Sequence, residues 1–169
     1  MRGLLAGIPI LIAAIILQTT VLTHFRLLSG GFNLTLVVVL AWNLVQRESS
    51  GPLWAFMGGV LADVFSGGPF GVTTVALVAC SLVIALTEGR FYQGNWVVAV
   101  AASIVGTIFY HLLYLFLLAG NNYVVNWADT LTLITLPSTI LNLLLMLPVY
   151  QSFRWLARLV AEPHVEIER

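Results

Sequence analysis

The sequence predicts an all-α polytopic membrane protein, with about six transmembrane helices in one bundle, and three observations predict it. Charged residues make up 8% of the 169 positions, against ~25% in an ordinary soluble domain. Hydrophobic residues make up 60%, and the mean hydropathy is +1.00. So few polar side chains cannot cover a water-facing surface, and the apolar exterior must therefore face lipid. The formal net charge is zero, Lys is absent and the seven Arg are scattered singly. That pattern lacks the basic patch a nucleic-acid partner requires.

Short polar or Gly/Pro-rich segments divide the chain into spans at about 4–23, 33–46, 53–65, 70–87, 96–119 and 131–159, forming a single transmembrane domain over 1–169. The first run starts after Arg2 and resembles a secretory signal. It is too long for that role, lacks an Ala-x-Ala cleavage site and is followed directly by further apolar spans, so a retained helix is expected. The second and third runs fall short of the ~20 residues that cross a full hydrocarbon core. Each must extend into its loops, thin the bilayer or pack inside the bundle. The sixth run contains Pro137 and Pro148. Each proline removes a helical donor and is expected to bend or break the helix, with Pro148 laying the end that carries Arg154 and Arg158 along the inner surface.

Arginine placement sets the expected orientation, because positively charged loops resist translocation. With the N-terminus inside, Arg2, Arg47, Arg90, Arg154, Arg158 and Arg169 are cytoplasmic and only Arg26 is outside. Five spans would move Arg90 and the C-terminal arginines outward and erase the bias. Six spans, with both termini cytoplasmic, are therefore expected. Tyr123 and Trp127 in the last outer loop fit an interfacial aromatic belt.

Asp63 is the one carboxylate well inside an expected span, which makes it a functional candidate by default. It lies in GGVLADVFSGGPFG, where Gly58, Gly59 and Ala62 give a small-residue face for close helix approach. Gly67, Gly68 and Pro69 then force a tight turn. The structural expectation is that Asp63 accepts hydrogen bonds from the amides opening the next helix, near Phe70. A proton or cation relay would need partners at similar depth, and His111 is the one candidate. His111 lacks a second ligand at metal spacing, so a packed, hydrogen-bonded histidine beside Tyr110 and Tyr114 is expected, and no metal site. Gln18, Asn43 and Asn142 are single amides in three spans, suited to interhelical hydrogen bonds. Asn33-Leu34-Thr35 matches a glycosylation sequon, but helix entry is the expected role of Asn33. Cys80, the lone cysteine, lies in an apolar run and suits packing. Phosphate-loop, His-Glu-x-x-His and Gly-x-Ser-x-Gly motifs are missing, so neither catalytic residues nor a cofactor site is expected.

The order of these features resembles the rod shape-determining protein MreD family over nearly the whole length. The resemblance rests on a first helix carrying Gln18, a short second helix opened by Asn33-Leu34 where the family usually has Pro-Asp, and a Gly-rich helix in which Gly58, Leu61, Asp63 and then Gly71 match the family pattern. It implies a non-catalytic scaffold of the cell-elongation machinery in the bacterial inner membrane. The implied partners are MreC and also RodA with its class B penicillin-binding protein, the peptidoglycan synthase pair it would support. It also implies a fold like the substrate-binding component of energy-coupling-factor transporters, which supplies the rival function of a vitamin-type binding component. The structural or interaction candidates are Asp63, Gly58, Gly59, Gly71, Gln18 and His111.

Overall fold

The computed structural model describes residues 2–45, 50–86 and 95–160. Arg47, Arg90 and Arg169, three of the arginines behind the expected orientation, lie outside these residues. The helices are α1 (Arg2–Thr20), α2 (Leu34–Val45), α3 (Gly51–Ser66), α4 (Val72–Leu86), α5 (Trp96–Gly120), the single turn α6 (Trp127–Asp129) and α7 (Leu136–Val160). A 3₁₀ turn, Leu22–His24, follows α1, and a π-helical segment, Thr130–Thr135, joins α6 to α7 without a break.

Asparagines open three of these helices by giving a side-chain oxygen to an otherwise unpaired first-turn amide. Asn33 Oδ1 accepts from Leu36 N at 3.0 Å, Asn95 Oδ1 from Val97 N at 3.0 Å and Asn126 Oδ1 from Asp129 N at 3.3 Å. Asn33 is thus a helix cap. At the other end of α3 the chain stops in a left-handed residue, Gly67.

α2 forms the axis of the bundle. It packs on α1, α3, α4, α5 and α7, while α3 pairs with both α1 and α4, α4 with α5, and α5 with α7. Every residue from Leu34 to Leu44 is buried. The short second run therefore packs inside the bundle, and its ~18 Å length at 1.5 Å per residue has no lipid-facing side to match to the bilayer. Among the described residues, three stretches are long and apolar enough to cross a membrane by themselves: Gly7–His24, Trp96–Gly120 and Trp127–Ala157.

Exposed apolar side chains are arranged as stripes. Ile8, Ile12 and Ile16 recur every four residues on α1, and Leu136, Ile140, Leu144 and Leu147 line α7, each more than 40% exposed. Such stripes would aggregate in water, and lipid is their natural solvent. Because lipid tails are as apolar as Leu, helix association then rests on dispersion at close contacts and on interhelical hydrogen bonds.

With short connections the helices alternate in direction, which gives the bundle two distinct ends. One end holds an aromatic cluster: Trp42 and Trp54 stack at 4.0 Å between centroids, and Phe153 meets their edges at 5.6 and 6.2 Å. The opposite end holds the α3–α4 turn and Asp63.

Neither proline breaks the last helix, so of the bend or break expected at each the break does not occur. The chain is continuously helical from Trp127 to Val160. The missing N–H of Pro137 falls where the helix has widened into the π segment, a usual way for helices to absorb such a defect. α7 also continues through Pro148, and Arg154 lies over the ring of Tyr150, 5.8 Å from its centroid.

Candidate functional site

Asp63 lies in the last turn of α3 and is 4% exposed. Its Oδ2 accepts from the backbone N–H of Gly71 at 2.9 Å, from that of Thr74 at 3.0 Å and from the Thr74 hydroxyl at 2.6 Å. Oδ1 accepts from Thr73 N at 3.0 Å. Four protein donors on one side chain, three of them amides at the start of α4, are the arrangement that makes a carboxylate tolerable at this depth. The Asp63 backbone carbonyl also accepts from the Ser66 hydroxyl at 3.3 Å, which helps the turn leave α3.

Two glycines permit this geometry for different reasons. Gly71 has φ +94° with open space around it, so its backbone conformation, rather than room, is what points its N–H back at Asp63. Gly59 is a matter of room: a Cβ there would run into the Cα of Thr74. α3 and α4, the most extensively packed pair in the bundle, meet backbone to backbone at this point. Gly58, on the adjoining face, sits instead against Leu11 and Thr35, with a Cβ there 3.0 and 3.2 Å from their side chains. The small-residue face expected from sequence is thus two faces turned to different neighbours.

Single amides tie the other helices. Gln18 Oε1 on α1 accepts from both N and Oγ1 of Thr35 on α2, at 3.1 and 3.3 Å. Asn142 on α7, fully buried, accepts from Asn33 N at 2.7 Å and donates to the Thr107 hydroxyl of α5 at 3.2 Å. Asn43 Oδ1 accepts from the Ser81 hydroxyl of α4 at 2.9 Å. Cys80 is buried, with its thiol 3.8 Å from the Gly106 carbonyl. The sequence reading missed the partner residues: Thr35 for Gln18, Asn33 and Thr107 for Asn142, Ser81 for Asn43, and Thr73 and Thr74 for Asp63. The signal available was the Thr73-Thr74 pair opening α4 just after Gly71.

His111 departs from expectation. Its ring sits 5.6 Å from that of Tyr110, yet its buried Nδ1 has no hydrogen-bond partner among the described residues. It is not brought to Asp63, whose donors all come from Gly71, Thr73 and Thr74. Tyr110 and Tyr114 stack on each other at 5.9 Å. Among the described residues, no three His, Cys, Asp or Glu side chains are grouped to hold a metal ion.

Above the N-terminus of α2, at the Asp63 end, lies a cavity of about 160 Å³ lined by the α2 cap Asn33 and by residues of α1, α3, α4 and α5, including Gln18, Ser66, Thr73, Tyr110 and Tyr114.

These features define an all-α membrane protein whose buried polar groups mainly join helices. The chain belongs to the rod shape-determining protein MreD family, whose sequence profile matches residues 2–160. Membership gives it a role in rod-shape determination, within a family that is structural in character. Neither curated proteins nor solved structures gave a match to the chain.

Proposed function

We propose that the protein is a non-catalytic, multi-pass scaffold of the bacterial inner membrane, with both termini in the cytoplasm and the Asp63 end facing outward. On this reading it maintains rod shape by binding MreC and so supports peptidoglycan synthesis by RodA and its class B penicillin-binding protein. The observation that carries it is the coordination of Asp63. The charge most suited to a transport or catalytic role holds four donors of its own chain and fixes a turn instead. The shape of that turn is then what the outer end offers to a partner. Arginine placement supports the orientation, since Arg2 at the start of α1 and Arg154 and Arg158 near the end of α7 fall at the end opposite Asp63, against Arg26 alone at the Asp63 end.

A vitamin-type binding component of a transporter is the rival reading, and the cavity over α2 is the observation in its favour. Its volume of about 160 Å³ is well under the ~300–1,000 Å³ of ordinary small-molecule sites, and the larger cavities, about 690 and 400 Å³, lie away from the outward end, one beside Gln151–Leu156 and one in an apolar groove between α1 and α7. That difference favours the scaffold, while an axial helix ringed by others is compatible with the transporter-like fold the family resemblance implies. Depletion in a rod-shaped host decides between them. Rounded cells with unchanged vitamin uptake are expected; rods that keep their shape but lose uptake of a vitamin would reverse the assignment.

A further inference from the structure

The cavity at the Asp63 end has a hydrogen-bond inventory that its own walls do not use up. Gln18 spends its Oε1 on Thr35, which fixes the orientation of its amide because the Thr35 backbone N–H can only donate. The Gln18 Nε2, with two donors, has no protein partner among the described residues. Asn33 is fixed in the same way, its Oδ1 held by Leu36 N; its side chain also interacts with the Tyr110 hydroxyl, which occupies at most one of its two amide protons. Beside Gly68, at the turn, the Tyr114 hydroxyl likewise has no hydrogen bond among the described residues. Several donors therefore converge on a space with room for roughly five waters at ~30 Å³ each.

Charge narrows what can enter. Asp63 stands directly behind the cavity wall, bonded to Thr73, and among the described residues its partners are neutral donors. An anion would be drawn by the amide protons and repelled by this carboxylate across a medium of low dielectric. A cation would be attracted by that carboxylate, but at Gln18 and Asn33 it would meet N–H groups that cannot accept, with only neutral hydroxyls such as those of Ser66 and Tyr114 to hold it. An uncharged oxygen acceptor fits both constraints.

We propose that this cavity is a binding site for one small, uncharged, carbonyl-type group, best matched by an amide, which enters from the Asp63 end and accepts from Gln18 Nε2, Asn33 Nδ2 and Tyr114 Oη. The group comes either from a free small amide or from an amide presented by a partner polypeptide. The site is independent of the scaffold reading, since it rests on the donors alone.

The test uses the full chain in nanodiscs with 3-fluorotyrosine at its tyrosines, the Tyr110 and Tyr114 ¹⁹F signals being assigned with Tyr110→Phe and Tyr114→Phe. Acetamide, acetate and ethylammonium are titrated as probes of similar size. Saturable shifts at Tyr110 and Tyr114 are expected with acetamide, at roughly tenfold lower concentration than with either ion. Gln18→Glu and Asn33→Asp keep the oxygens that hold Thr35 and Leu36 but remove the amide donors. Each should weaken the acetamide response roughly tenfold while the melting temperature in the same nanodiscs shows that the bundle is intact. Equal responses to all three probes, or an acetamide response that survives in whichever of the two variants folds, would overturn the site. A benzophenone amino acid at Phe65, on the rim, then separates the sources in cells. A protein adduct lost in Asn33→Asp assigns the group to a partner polypeptide, and acetamide binding without any such adduct assigns it to a free molecule.

Discussion

The backbone N–H of Ser29, in the loop between α1 and α2, donates to the carbonyl of Leu133 at 3.2 Å. Leu133 lies in the π segment, and the residue four positions on is Pro137, which has no N–H to offer it. The loop supplies the donor that the helix lacks. Gly31 N reinforces the contact by donating to the Ser138 hydroxyl at 3.1 Å. Pro137→Ala introduces a competing donor and removes the ring, so the π segment should relax toward α-helix. The loop should then be released. Amide hydrogen exchange over residues 27–33 is expected to accelerate while that of α7 slows; unchanged protection in the loop would show that Leu133 does not hold it.

Close approach at Gly59 gives a stability prediction. Gly59→Ala pushes a methyl into the backbone of Thr74, and overpacking of this kind costs about 1–3 kcal/mol. Since Thr74 is also a donor to Asp63, the two positions should be coupled, with a combined loss smaller than the sum of the separate ones. Gly68→Ala is the control: its Cβ would come no nearer than 3.5 Å to Tyr114 Oη. Melting temperatures in detergent should fall for Gly59→Ala and hold for Gly68→Ala, and equal behaviour of the two would contradict the backbone contact.

His111 offers a test by removal. A buried ring nitrogen without a partner is a cost, and replacing it by an apolar ring of similar size relieves it. His111→Phe is expected to melt at the same temperature or higher, by up to about 1 kcal/mol, and to leave cell shape unchanged. Loss of rod shape in a protein of normal abundance would give the imidazole a function that packing does not explain.

Topology is testable without mutating the core. Reporters fused after Arg47, Arg90 and Arg169 should read cytoplasmic, and reporters at 66–69 and near Asn122 external. An external reading at Arg169 would rule out an even number of crossings.

Much of the helical pattern was legible because lipid imposes a strong, simple constraint: a run of apolar residues closed by Gly, Pro or Asn. Asp63 and the three amides were legible for a related reason, since a polar group in such a run must find a partner. What stayed hidden was partner identity. Nothing in the spacing of Gln18 points to Thr35, or of Asn142 to Asn33 and Thr107, because those contacts depend on which helix lies at the centre. α2 reads as an ordinary short span, and its central position follows from packing on five neighbours. That the helix continues through Pro137 was not legible, because the rule for a proline in a helix takes no account of a π segment or of a loop that supplies the missing donor.

Asp63 carries the most discriminating prediction, and the geometry changes its expected size. Sequence alone suggests that Asp63→Asn, keeping one oxygen and the same shape, should retain much of the function. The coordination is unequal, however: Oδ2 accepts three hydrogen bonds and Oδ1 one. An asparagine will place its oxygen where the three donors converge, and its NH₂ then faces the Thr73 N–H, donor against donor. Asp63→Asn should therefore lose about 1.5–3 kcal/mol, the worth of a hydrogen bond to a charged group. A folded but less abundant protein is expected. Asp63→Leu leaves all four donors unpaired in a buried turn, at about 1–3 kcal/mol each, and should not accumulate in the membrane. Asp63→Glu keeps the charge but moves it by one methylene against a backbone that Gly59 has already brought close, so it should do no better than Asn. Membrane abundance, melting temperature and cell shape measured side by side distinguish this from a titrating role. In a relay Glu would retain activity and Asn would lose it entirely, whereas a structural carboxylate makes shape follow abundance across all three variants. An Asp63→Asn protein at full abundance in rounded cells would defeat the structural assignment.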